Sequence, residues 1–154
     1  MNTSSPTTIP PVDHCVNVPL SVEDAFDLFT KRLALWWPLS THSCAQGDAV
    51  DVEFEPRVGG RVLEHDKKGA RHVWGTLLEW NPPHVLAMTW HPGQAEDQAT
   101  RLKVSFTAKG ASTDVRILHD GWEARGAEGG EWRGEYEKGW AAVMQRYVDA
   151  AANR

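Results

Sequence analysis

Between residues 49 and 120 the apolar residues of this chain recur every second position, and on either side they recur every three or four. That change of period limits the fold more than any other feature, because alternation builds half-buried strands and a 3.6-residue spacing builds amphipathic helices. On the strand side, Val50, Val52 and Phe54 alternate with Asp51 and Glu53, and Leu86, Met88 and Trp90 share a face. Leu102, Val104 and Phe106 do likewise, followed by Thr113, Val115, Ile117 and His119. On the helical side, Val22, Phe26, Phe29 and Leu33 follow Ser21, a helix N-cap residue, with Asp24 three positions on. Pro38 halts a second short helical segment after Trp36 and Trp37. Trp132, Tyr136, Trp140, Val143 and Tyr147 mark a final amphipathic helix of roughly 20 residues.

Turn residues separate the strands. Gly59-Gly60, Asn81-Pro82-Pro83 and Lys109-Gly110 each break a ladder, and residues 66–70 join strands 61–65 and 71–80 as a hairpin. With Lys68-Gly69 at its tip, His65 and His72 are expected directly opposite each other. The glycine-bearing stretch 121–130 reads as a mobile loop and a candidate lid. A first strand over 12–18 precedes the first helix. The order of strand, helices, antiparallel strands and one long helix predicts an α+β fold, with a curved antiparallel sheet wrapped around a long C-terminal helix. Such a sheet leaves a space beneath the helix, where pockets form.

The domain is expected to span residues 12–154. Residues 1–11, rich in Ser, Thr and Pro, are read as a flexible tail and not as a signal peptide. No apolar run approaches the roughly 20 residues of a membrane span. A net charge of −5 and scattered Lys and Arg argue against nucleic acid as a partner. Cys15 and Cys44 are too few for a disulfide framework or a cysteine zinc site, so a cytoplasmic location is expected. No cofactor fingerprint, phosphate loop or nucleophile elbow occurs, and neither a cofactor nor a metal ion is expected.

Eight tryptophans, against two tyrosines and four phenylalanines, are the feature that points to function. Each indole combines a large apolar area with one N–H that needs a partner. A chain of this size is hard pressed to hide eight of them, so some are expected to line a groove.

Several segments, in order, resemble one superfamily. They are Val16-Asn17-Val18-Pro19-Leu20-Ser21 with Ala25-Phe26, and Phe54-Glu55-Pro56-Arg57-Val58-Gly59-Gly60-Arg61. The most specific is Gly75-Thr76-Leu77-Leu78-Glu79-Trp80-Asn81-Pro82-Pro83, with Leu86 and Trp90 beyond it. Thr113 to His119 with Gly121, and Gly139-Trp140, complete the set. Over 12–151 the chain resembles the SRPBCC, or START-like, superfamily with its helix-grip fold. Within that superfamily it is most similar to the bacterial family named after the activator of the heat-shock chaperone ATPase. The resemblance implies a cavity between the sheet and the C-terminal helix. Trp90, Phe106, His119 and Trp140 would point into it, Met88 and Met144 would add adaptable walls, and Trp36 and Trp37 would form a rim. His119 would supply a polar anchor, and Gly139 would permit close approach of something bulky.

Three functions are therefore open. The first is binding of a small hydrophobic or aromatic ligand. The second is an enzyme of the cyclase, dehydratase or hydrolase type acting on a ring in the same cavity, with His119 or a strand glutamate (Glu53, Glu64 or Glu79) as acid or base. The third, implied by the family name, is a protein-interaction module that stimulates a chaperone in a stress response. A homodimer formed through exposed aromatic surface is a further expectation.

Overall fold

The structure, a computed structural model, describes residues 9–153. Its first strand β1 (Val12–Val18) ends where Pro19 cannot donate to a ladder. Helix α1 (Val22–Phe29) follows, and the Ser21 hydroxyl caps it by accepting from the Asp24 N–H at 3.1 Å. A short 3-10 helix, Leu33–Leu35, carries the chain to Trp36 and Trp37. Six strands come next: β2 (Ala49–Phe54), β3 (Arg61–Asp66), β4 (Arg71–Asn81), β5 (Val85–Trp90), β6 (Thr100–Lys109) and β7 (Ser112–Asp120). The final helix, α2, runs for 24 residues, Gly129–Ala152.

All seven strands lie in one antiparallel sheet, in the order β1-β7-β6-β5-β4-β3-β2. The chain's first strand thus closes onto its last, with Val12 opposite His119 and Val18 opposite Thr113. The alternating residues predicted from the sequence form the buried face: Leu86, Met88 and Trp90, Leu102, Val104 and Phe106, then Val115, Ile117 and His119. Across that face lies α2, which buries Trp140, Val143, Met144, Tyr147 and Ala151 on one stripe. The Tyr147 hydroxyl donates to the Ala25 carbonyl at 2.7 Å and Arg146 Nε to the Trp36 carbonyl at 2.8 Å, fixing α2 against the first helical region. This is the expected helix-grip arrangement.

Three local expectations need correction. The β3–β4 hairpin turns on three residues, with Asp66 and Ala70 closing the loop and Gly69 at φ +83°. That extra residue shifts the register by one, so His65 faces Arg71 and His72 faces Glu64. The two histidines bond different carboxylates, Glu53 at 3.0 Å and Asp66 at 2.9 Å. Residues 121–130 are not a loose loop. They form 3-10 turns within Trp122–Glu128, kinked at Gly126, followed by the start of α2, and both Trp122 and Arg125 are buried. Glu53 and Glu79 are exposed, whereas Glu64 is fully buried.

Of the expected flexible tail, residues 1–8 lie outside the described residues. The Ile9 N–H donates to Glu123 at 2.9 Å, and Arg133 donates to the Pro10 and Pro11 carbonyls. No described helix is long and apolar enough to cross a membrane.

Candidate functional site

Five indoles meet where α2 crosses the sheet. Trp37 lies within 6.1 Å, centroid to centroid, of each of Trp36, Trp74, Trp90 and Trp140. Trp90 in turn stacks at 5.5 Å on Trp74 and 5.7 Å on Trp140. These rings nearly fill the interior of the grip. The void left beneath them, bounded by Phe29, Leu33, Met88 and Leu102 among others, is about 10 Å³, room for roughly one water.

Above the same rings the space opens. A cleft of about 410 Å³ has Trp37, Trp90 and Trp140 as its floor. Its helix wall is one side of α2: Trp132, Glu135, Tyr136, Gly139 and Val143. Facing it are the segment Thr41 to Cys44 and, from the β5–β6 loop, Pro92 and Gly93. The size lies within the range of small-molecule sites. A Cβ placed on Gly139 would meet no atom within 4 Å, so the missing side chain leaves the helix backbone as open wall.

Buried indoles need acceptors for their N–H groups, and those acceptors build the site. Trp36 donates to the Leu28 carbonyl at 2.8 Å, Trp37 to the His42 carbonyl at 2.7 Å and Trp122 to the His119 carbonyl at 3.0 Å. Trp90 donates to the Tyr136 hydroxyl at 3.1 Å, and among the described residues that hydroxyl's own proton has no acceptor. Tyr136 is a lining residue of the cleft. Trp74 donates to the Glu64 carboxylate at 2.8 Å, which also accepts from the backbone N–H groups of Cys44 and Ala45, each at 2.7 Å. One buried carboxylate therefore ties the 41–45 wall to the sheet. Beside it, burial together with the Glu64 charge pushes the Cys44 thiol up to about 11, so it stays protonated at neutral pH.

His119 is a structural link. Trp140 Nε1–H donates to its Nδ1 at 2.9 Å, so the ring proton sits on Nε2 and points to Thr100 Oγ1 at 2.6 Å. The Thr100 hydroxyl in turn donates to the Trp90 carbonyl at 3.2 Å. Burial, reinforced by the nearby Arg125 charge, pushes the imidazole down to about 3. Both ring nitrogens are occupied, and the chain from Trp140 to Trp90 locks the cleft floor.

Of the residues expected at the site, the structure brings Trp37, Trp90 and Trp140 to the cleft, and Gly139 with them. Trp36, Met88, Phe106, His119 and Met144 are packed beneath or beside it. Sequence reasoning missed Tyr136 and Trp132 as lining residues, treating them only as part of the helical stripe, and missed the 41–44 wall altogether. A tyrosine one turn before a Trp-bearing glycine was the signal available for Tyr136. Among the described residues, no group of three or more His, Cys, Asp or Glu side chains could hold a metal ion.

A sheet curled round a C-terminal helix, with an aromatic cleft at their junction, defines a START-like helix-grip protein. The chain belongs to the family described as Activator of Hsp90 ATPase homolog 1-like protein, whose model matches residues 19–151. Among solved structures it is similar to the anthrahydroquino-γ-pyrone synthase Txn09, determined in a complex, with 34% identity over 94% of this chain and 99% of that one and a TM-score of 0.63. CalC from Micromonospora echinospora, a self-sacrificing resistance protein, shares 24% identity over 94% of this chain and 96% of its own, at a TM-score of 0.67. The Aha1 dimer from Colwellia psychrerythraea shares 16%, over 92% and 95%, also at 0.67. These last two establish likeness of fold alone. No curated protein gives a significant match.

Proposed function

We propose that this protein binds a flat aromatic small molecule in the cleft between α2 and the 41–44 segment. The observation that carries the reading is the open space of about 410 Å³ above three indoles whose N–H groups are all turned away to protein acceptors. These indoles are buried, so what little surface they turn to the cleft is apolar, rigid and costs little entropy to present. A guest ring stacks on that floor, and the Tyr136 hydroxyl donates to an oxygen of the guest. The free thiols Cys15 and Cys44 suit a reducing, cytoplasmic setting.

Titration with 2-naphthamide, a neutral bicyclic amide, tests the reading. At about 0.4 kcal/mol per non-hydrogen atom, its Kd should be on the order of 100 µM. Saturable quenching of tryptophan emission is the expected result; a linear, unsaturable response would remove the proposal.

A second reading is favoured by the 34% identity to the anthrahydroquino-γ-pyrone synthase. In it, the same cleft holds a polycyclic ketone, and the Tyr136 O–H polarises a carbonyl as ring closure proceeds. Incubation with that synthase's own substrate, followed by mass spectrometry, discriminates the two. Product formed by the parent but not by Tyr136→Phe, with substrate binding retained, makes the protein an enzyme. Unchanged substrate leaves it a binder.

A further inference from the structure

Arg125 is the one buried side chain whose polar atoms are left unmatched among the described residues. It is 5% exposed; its Nε donates to the Gln98 carbonyl at 2.7 Å, but both terminal nitrogens are buried without a hydrogen-bond partner. Its Cζ lies 4.6 Å from the ring centroid of Trp132, over the indole face. A guanidinium cannot discharge itself by losing a proton, so burial without a counter-ion is costly, and natural chains rarely leave such a group without use.

Its position supplies the use. The two groups that hold Arg125 belong to the two sides of the cleft. Trp132 lines the helix wall, and Gln98 lies on the β5–β6 loop whose Pro92 and Gly93 line the opposite side. The guanidinium therefore sits against an indole that lines the cleft and is tied to the loop that supplies part of the opposite wall. Trp132 is only half-buried, and its ring contacts Tyr136 loosely, at 6.3 Å. For the two unused nitrogens to reach the cleft, that side chain has to turn aside.

Resting on the reading of the cleft as an aromatic-binding site, we propose that the guest is an aromatic acid. Its carboxylate or sulfonate forms a forked pair with the terminal nitrogens of Arg125 while its ring stacks on Trp132 and the indole floor. Planar donors in a fixed fork match an oxyanion, and the pairing is strongest where water is excluded. The net charge of −5 disfavours anions over the surface as a whole, so selection for an acid has to come from this one local cation.

The test compares 2-naphthoate with 2-naphthamide, which differ in charge and hardly in shape, by calorimetry on the parent, Arg125→Gln and Arg125→Lys. The parent should prefer the naphthoate by about thirty-fold, as a charge-assisted pair predicts. Arg125→Gln should abolish that preference while holding naphthamide within two-fold, and Arg125→Lys should restore part of it. Equal affinity of the parent for both probes overturns the proposal without any variant, and leaves the cleft reading standing if naphthamide still binds. Loss of both probes to the same extent in Arg125→Gln also overturns it, since that marks a purely structural role. Binding of neither probe to the parent defeats both readings together.

Discussion

Replacing Gly139 by leucine separates the stability of α2 from the use of the cleft, because the two respond with opposite sign. Glycine inside a helix costs about 0.8–1 kcal/mol relative to good helix formers. At this position the new Cβ meets nothing within 4 Å, so no strain offsets that gain. The melting temperature should therefore rise by about 2–3 °C in a chain of this length. The four carbons of the leucine, however, enter the space that a guest would occupy. At about 0.8 kcal/mol per displaced methylene, the guest loses roughly 3 kcal/mol, or about two hundred-fold in Kd. Gly134→Leu is the matched control. It lies on the same helix with equally open space around its Cβ, but does not line the cleft. It should gain the same stability and leave binding untouched. Differential scanning calorimetry and calorimetric titration with 2-naphthamide read both quantities. A more stable Gly139→Leu that binds as tightly as the parent would refute the assignment of the cleft.

Further predictions follow from the buried polar groups. His119 is held near pKa 3 in the folded state, against about 6.5 unfolded, so the unfolded chain takes up a proton first as pH falls below 6.5. Its contribution is full above that pH and is lost progressively toward 3, at about 1.4 kcal/mol per pH unit. Urea unfolding at pH 7.5 and 5.0 should show the parent losing about 2 kcal/mol more than His119→Gln, and equal losses would refute the linkage. Glu64→Gln removes the charge and puts an amide NH2 where one carboxylate oxygen accepted, so that the Ala45 N–H, or in the flipped amide those of Cys44 and Trp74, meets a donor, which should cost about 2–3 kcal/mol. In a Cys15→Ser background, the same change should speed labelling of Cys44 by a disulfide reagent at pH 8 at least ten-fold, as the wall loosens. Unaltered labelling would show that the carboxylate does not hold the 41–45 segment. Gly75→Ala drives a Cβ to within 1.7 Å of the Thr89 carbonyl oxygen, a backbone clash that should cost more than about 3 kcal/mol by thermal melting.

Local pattern carried the elements well and the site only in part. Ser21, the alternating runs of β5 to β7 and the stripe of α2 each satisfy a short-range rule, and the structure places them as that rule predicts. The resemblance then arranged these pieces into the grip. What pattern could not supply is where an indole turns its face. Trp90 and Phe106 both point inward, yet Trp90 reaches the cleft and Phe106 is covered by Phe26 and Phe29. The 41–45 wall has no periodicity, and it is shaped by a carboxylate about twenty residues further along the chain. The His65–His72 pairing failed on one extra loop residue, and the 121–130 stretch was misjudged because its glycines masked two large buried side chains, Trp122 and Arg125. The direction of the indoles and the shape of the 41–45 wall are set by contacts distant in sequence, which no local pattern encodes.

Backbone amide shifts of the labelled protein, followed by NMR as 2-naphthamide is added, test the central claim most directly. The account predicts saturable changes confined to residues 37, 41–44, 90, 93 and 132–143, with the exposed outer positions Leu35, Val50, Val58 and Leu78 unmoved. Changes centred on those outer positions, or no saturable change anywhere, would contradict it.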